Sequence, residues 1–188
     1  MKVFIIMLAL IGIISCTDSR TKQISSFLKD KKEELIIIPD SFCVKDLNID
    51  STYSFSASND FVNSPNLRIV TSINGDCHAC VNQLKEWKTI INKFSKERVG
   101  FLFFIYAENY SRFELMNLEE INFKYPVVYD YKNDFVIKNK IPDDYLLNTM
   151  LIDNIGKIII IGNPLKSKKI LGLYNSVIIE YYENSRKK

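Results

Sequence analysis

The chain has little with which to bind nucleic acid or a metal cluster. Its net charge is only +3, its 25 Lys and Arg are mixed with 22 Asp and Glu, and no basic stripe forms. Tyr and Phe are frequent, but they alternate with aliphatics rather than with cations, which excludes a nucleic-acid platform. A single histidine, His78, leaves zinc short of ligands. Only Cys43 and His78 could supplement the pair Cys77 and Cys80, and adjacent residues such as Cys77 and His78 rarely ligate one ion together. Copper(I) stays a minor option, since thiolate and imidazole suit it. The one long apolar run, Val3 to Ser15, is too short for a comfortable bilayer span. There is no internal repeat and no low-complexity tract. What remains, 47% hydrophobic and 12% aromatic, suffices for the core of about one domain.

The N-terminus reads as an export signal. Met1-Lys2 is a short positive region, Val3 to Ser15 an apolar one, and Cys16 ends it. Ile13-Ile14-Ser15-Cys16 resembles a bacterial lipobox. That resemblance implies cleavage before Cys16, lipid on its sulfur and a membrane-anchored, extracytoplasmic place in the cell envelope, periplasmic or at the surface. The bland alternative is an ordinary signal peptide with an incidental cysteine. Export puts the domain where disulfides persist. The four cysteines then divide into a lipid site, a close pair and Cys43. Cys43 reads as a partly buried free thiol, or one that pairs with another chain.

Periodicity orders the rest. Thr17 to Glu34 is polar and charged, a tether or in part a surface helix. Leu35-Ile36-Ile37-Ile38 reads as a short strand stopped by Pro39, with a weak strand near Tyr53-Ser54-Phe55 and an N-terminal hairpin or extension around them. Leu67 to Ile73 is a buried strand. Val81, Leu84, Trp87, Ile91 and Phe94 recur at helical spacing, so Ala79 to Lys96 is an amphipathic helix. Val99 to Tyr106 has the unbroken apolar character of a central strand. Ser111 is the expected N-cap of a helix running to Glu120, with Glu114 at the capping-box position. Pro126 to Tyr129 is a strand and Asn133 to Asn139 a short helix. Thr149 to Ile152 and Lys157 to Ile161 form a hairpin about Asp153-Asn154-Ile155-Gly156. A last helix spans about Lys166 to Tyr182, with Ile170, Leu173, Tyr174, Val177 and Ile178 on one face. The order predicts an α/β fold: a mixed sheet with helices on both faces.

Cys77-His78-Ala79-Cys80 lies where the first strong strand meets the first strong helix. A helix N-terminus offers free N–H groups and partial positive charge, which favours thiolate at Cys77. Cys80, about one turn on, is placed to resolve a mixed disulfide. The pair can instead be a structural disulfide. Protonated His78 would stabilise the thiolate and favour an oxidising pair; otherwise it simply faces solvent. Asp76 reads as the helix N-cap, with a charge that opposes His78.

From Leu67 to Tyr182 the chain resembles the thioredoxin-like superfamily, and within it the exported TlpA/ResA-type thiol-disulfide oxidoreductases. Cys77 and Cys80 match the redox pair. Tyr125-Pro126-Val127-Val128-Tyr129-Asp130 matches a Tyr-Pro-Val-x-x-Asp segment, and Leu151 to Ile158 a Leu-Ile-Asp-x-x-Gly-Lys-Ile hairpin. Residues 1–15 then read as a lipoprotein signal peptide, 16–34 as a tether and 35–66 as an N-terminal extension or hairpin, and the resemblance implies 67–188 as a thioredoxin-like domain. It implies exchange with protein thiols or disulfides, no organic cofactor, and a partner dithiol that supplies or takes electrons. It points to a reductant, whereas His78 hints at an oxidant. Three departures stand out. Leu147 occupies the place of the family's cis-proline in the substrate loop, so trans geometry or a reshaped loop is expected, since a cis bond there would cost about 2.5–4 kcal/mol. Asp76 stands where a tryptophan is familiar. The Leu67 to Ile73 strand has no buried acid, leaving Asp76 and Glu108 as the nearest relay candidates. A non-catalytic binding or assembly module on the same scaffold is the alternative.

Overall fold

The computed structural model describes residues 20–31, 34–39, 41–46, 51–56, 66–97 and 99–186. The export signal read over residues 1–15, the lipidation site Cys16 and residues 187–188 lie outside the described residues. Residues 20–30 are helical (α1). Strands β1 (Ser41–Asp46) and β2 (Ser51–Ser56) make a hairpin, followed by β3 (Leu67–Asn74), α2 (His78–Phe94), β4 (Gly100–Tyr106), α3 (Tyr110–Met116), β5 (Val127–Tyr129), α4 (Asp134–Lys138), β6 (Thr149–Asp153), β7 (Ile158–Ile161) and α5 (Lys168–Arg186).

One mixed sheet holds all seven strands in the order β2-β1-β5-β4-β3-β6-β7. Strands β3, β4 and β5 run parallel, with Arg68 opposite Gly100 and Phe104 opposite Val128. The flanking pairs β3–β6, β6–β7, β1–β5 and β1–β2 are antiparallel. The parallel strands are apolar on both faces because helices cover both. Alternate residues face opposite ways. Ile69, Phe103 and Leu151 join Leu84 and Trp87 of α2, Phe113 of α3 and Tyr174 and Ile178 of α5 in one core. Val70, Phe104 and Ile152 join Phe27 of α1, Phe135 of α4 and Ile36 in the other. Trp87, 1% exposed, meets Phe103 edge-on at 5.5 Å.

Several local expectations change. Leu35–Ile38 makes a single bridge, Leu35 to Lys157, rather than a strand. The backbone of Ile37 pairs instead with the side chain of buried Asn139, which accepts from Ile37 N and donates to Ile37 O, both at 2.7 Å. Asn109, not Ser111, caps α3, its Oδ1 accepting from Arg112 N at 3.0 Å. Glu114 is therefore no capping-box partner; it accepts from the Tyr129 hydroxyl at 2.5 Å. The helix does not run unbroken to Glu120. It widens into a π turn, Asn117–Ile121, closed by left-handed Asn122 at φ 52°. On α2 Ile90 is buried and Ile91 packs, partly buried, against the same core, and on α5 Leu173 faces out.

Candidate active site

The site is built at the carboxyl ends of β3, β4 and β5, where open α/β sheets place their ligands. β3 ends at Asn74, level with Tyr106 of β4, and Gly75 N donates to Tyr106 O at 2.7 Å. The chain then turns tightly into α2. Gly75 is required by this approach: a Cβ there would lie 2.9 Å from the Ala107 Cβ and 3.1 Å from Ile105 Cγ2.

Cys77 and Cys80 form a disulfide, their Cα atoms 5.2 Å apart. Helix α2 begins at His78, so Cys77 itself is the N-cap. Its sulfur accepts from Cys80 N at 3.3 Å, and its carbonyl accepts from Cys80 N and Val81 N at 2.9 and 3.0 Å. A sulfur here faces the unpaired N–H groups and positive end of a 17-residue helix, which favours negative charge on it. Both cysteines are half-buried.

Asp76 is not the N-cap. The tight turn swings its carboxylate toward the β4–α3 loop, where it accepts from Glu108 N at 2.7 Å and Asn109 N at 3.4 Å. Asp76 thus ties the cysteine loop to the neighbouring loop, and Glu108, itself exposed, contributes its backbone N–H to that tie. His78 is exposed. Its hydrogen bonds run to Glu120 on the π turn, at 3.0 Å, and to Asn82, at 3.1 Å, rather than to the Cys77 sulfur.

A cleft of about 310 Å³ opens beside Cys80. Gln83, Tyr106, Asp130, Tyr145 and Asn148 share its wall. None of these was singled out as a site residue from the sequence, apart from Asp130 as part of a matched segment. Gln83 has a readable signal, being three positions after Cys80 on the same helix face. Asp130, 7% exposed, caps α4 by accepting from Asp134 N and Phe135 N at 2.8 and 2.9 Å. Burial raises its pKa, against the downward pull of those two N–H groups.

Leu147 lies in a loop at the edge of this cleft. Its side chain is 5% exposed and packs in the core under the sheet, so it is not a wall of the cleft. The loop around it does border the cleft, through Pro142, Asp143, Asp144, Tyr145 and Asn148. No cis peptide bond occurs among the described residues. Asn148 instead continues the β3–β6 ladder, its O accepting from Ser72 N and its Nδ2 donating to Ser72 O, both at 3.0 Å. Below it the Thr71 and Thr149 hydroxyls bond to each other at 2.8 Å, out of solvent.

Cys43 lies on β1, half-buried and outside any disulfide. It sits against Tyr131, whose pKa is raised by burial and then by the neighbouring thiol. No group of three or more His, Cys, Asp or Glu placed to hold a metal occurs among the described residues. No helix among them is long and apolar enough to cross a membrane.

No protein-family model matches the chain, and no curated protein matches it. Solved structures do. The thioredoxin domain of a thiol-disulfide oxidoreductase from Bacteroides vulgatus matches with a TM-score of 0.55 and 16% identity, over 77% of this chain and 98% of that one. A putative thiol:disulfide interchange protein DsbE from Chlorobium tepidum matches with a TM-score of 0.57 and 12% identity, over 78% and 97%. Thioredoxin peroxidase I from Plasmodium yoelii matches with a TM-score of 0.62 and 11% identity, over 82% and 92%. At such identities the likeness shows the fold alone, a thioredoxin-like mixed sheet flanked by helices.

Proposed function

We propose that the chain exchanges thiols and disulfides with protein substrates through Cys77 and Cys80, outside the cytoplasm and held at a membrane by lipid on Cys16. The observation that carries this reading is the Cys77 sulfur at the N-cap of α2, bonded to the Cys80 amide and disulfide-linked to Cys80. Reduction of a substrate would begin with attack by the Cys77 thiolate on one substrate sulfur. The substrate's S–S bond breaks, its other sulfur leaves as thiolate and takes a proton, and a Cys77–substrate disulfide forms. The Cys80 thiolate then attacks the Cys77 sulfur and expels the second substrate thiolate. Two electrons pass to the substrate, and a partner dithiol restores them. Run backwards, the same steps oxidise a dithiol. Asp76 would hold the cysteine loop, and the loop carrying Leu147 would form the rim for the incoming chain.

Titration of the Cys77–Cys80 pair against glutathione and dithiothreitol, read by thiol alkylation and mass, tests the reading. A reversible transition between roughly −120 and −270 mV is expected. Cys80→Ser should then accumulate a mixed disulfide on Cys77, while Cys77→Ser should not. A pair that stays oxidised below about −300 mV makes the disulfide structural and the domain a binding module. The buried Leu147 favours that second reading, because it leaves the rim without the proline of the resembled family. A copper carrier would have to use the cysteine pair without His78, which is turned toward Glu120.

A further inference from the structure

The loop from Pro142 to Asn148 borders the cleft that Cys80 also lines. With no cis bond to fix it, its shape depends on a hydrogen-bond network with Asp144 at the centre. Asp144 N donates to Pro142 O at 2.7 Å, and Asp144 O accepts from Leu147 N at 2.9 Å. Its Oδ1 accepts from Leu146 N at 2.9 Å. From the other side Asn163, 2% exposed, donates its N to Leu146 O at 2.9 Å and its Nδ2 to Tyr145 O at 3.2 Å. The loop's main chain is thus largely engaged within the protein, and the Tyr145 side chain, 57% exposed, projects from it.

The remaining oxygen of Asp144 is held from far away in sequence. Arg20, in α1 and 124 positions earlier, donates Nε and Nη2 to Asp144 Oδ2 at 3.0 and 2.9 Å. Tyr145 follows Asp144 directly in the loop, so the grip on Asp144 sets its backbone as well. Single exposed ion pairs contribute little. This one differs in what it grips: the Asp144 side chain is only 8% exposed and organises the loop, and the guanidinium presents two donors in a fixed fork.

We propose that Arg20 is a positioning residue for the cleft. It fixes Asp144, and through it the loop that carries Tyr145, the rim against which the disulfide-bearing segment of a substrate lies, without touching the cysteines. The proposal rests on the exchange reading above and adds to it that the substrate site extends to the N-terminal helix. Full-length native chain, Arg20→Ala and Arg20→Lys are compared in exchange with a cyclic disulfide peptide. The Cys77–Cys80 equilibrium with glutathione and amide hydrogen exchange at Leu146 and Leu147 are followed in the same proteins. Arg20→Ala should raise KM about tenfold with kcat within about twofold. The glutathione equilibrium should stay unchanged and the two amides should exchange faster. Arg20→Lys should recover part of KM, having the charge without the fork. An unchanged KM in an active chain overturns the proposal, as does a KM change accompanied by an equal fall in kcat and a shifted glutathione equilibrium. If the native chain shows no exchange, the functional reading fails, and the amides alone decide: faster exchange upholds the clamp, unchanged exchange overturns it.

Discussion

Gly75 and Asp76 show how much the shape of the cysteine loop depends on two residues outside the cysteine pair. Gly75 lets the cysteine loop close on β4, and any side chain there must displace Ala107 or the Tyr106 carbonyl, 3.3 Å away. Gly75→Ala should therefore destabilise the fold by about 1–3 kcal/mol, an overpacking cost read from the denaturant midpoint. Asp76 joins the cysteine loop to the β4–α3 loop. Asp76→Ala should cost about 1 kcal/mol by the same measurement and slow mixed-disulfide formation at Cys77, since Glu108 N and Asn109 N lose their acceptor. Asp76→Asn keeps one acceptor oxygen and should fall between the two. Neither role was readable in advance. Aspartate before a helix is an ordinary N-cap signal, and only the tight turn at Gly75 directs this one elsewhere.

Among the elements, α3 and β5 meet through aromatic rings that are neutral in the folded chain. Tyr110 lies 4.3 Å from Tyr129, centroid to centroid, and its hydroxyl donates to Ile105 O at 2.9 Å. Burial pushes the Tyr110 phenol up to about 12, and burial followed by Glu114 pushes Tyr129 up as well. In the unfolded chain a phenol ionises near its ordinary value of 10.0. Between that pH and about 12 the unfolded state therefore holds fewer protons than the folded one, and stability falls as pH rises. The denaturant midpoint should drop over this window, and Tyr110→Phe should make the drop shallower. On the same face Tyr174 of α5, wholly buried, donates to Gly162 O at 3.1 Å. Tyr174→Phe should lose about 1–2 kcal/mol, because a buried carbonyl is left without its donor. The helix itself was predictable from its spacing; the hydroxyl's partner, 12 positions back in a loop, was not.

For the molecule as a whole, the distance along the chain from Cys16 to the cleft matters most. Arg20 follows Cys16 by four residues and is bonded to the rim of the cleft. Four extended residues reach at most about 14 Å. If Cys16 carries lipid, the cleft therefore works close to the bilayer surface. The native chain should partition into detergent, and Cys16→Ala should remain in water. A vesicle-tethered disulfide peptide should be exchanged faster than the same peptide free in solution. Insertion of a long Gly-Ser segment after Cys16 should abolish that preference, while rates equal from the start would contradict it.

The sequence by itself determined the elements that repeat. Alternating and continuous apolar runs gave β3, β4, β6 and β7, a spacing of three and four gave α2 and α5, and Cys77 and Cys80 stood out at a strand-to-helix junction. These signals are local, because each arises from one face of one element meeting a core. Tertiary structure alone decided which hydrogen bonds shape the loop from Pro142 to Asn148, and where the polar side chains turn. Asp144 is one of several carboxylates in the sequence until Arg20 arrives from the far end of the chain. Nothing local in the sequence shows that the Leu147 side chain is buried in the core, and Asn139 reads as a helix end until Ile37 pairs with it. Hydrogen bonds between residues a hundred positions apart leave no periodicity in the sequence, since they depend on the folded path of the chain and not on its local pattern.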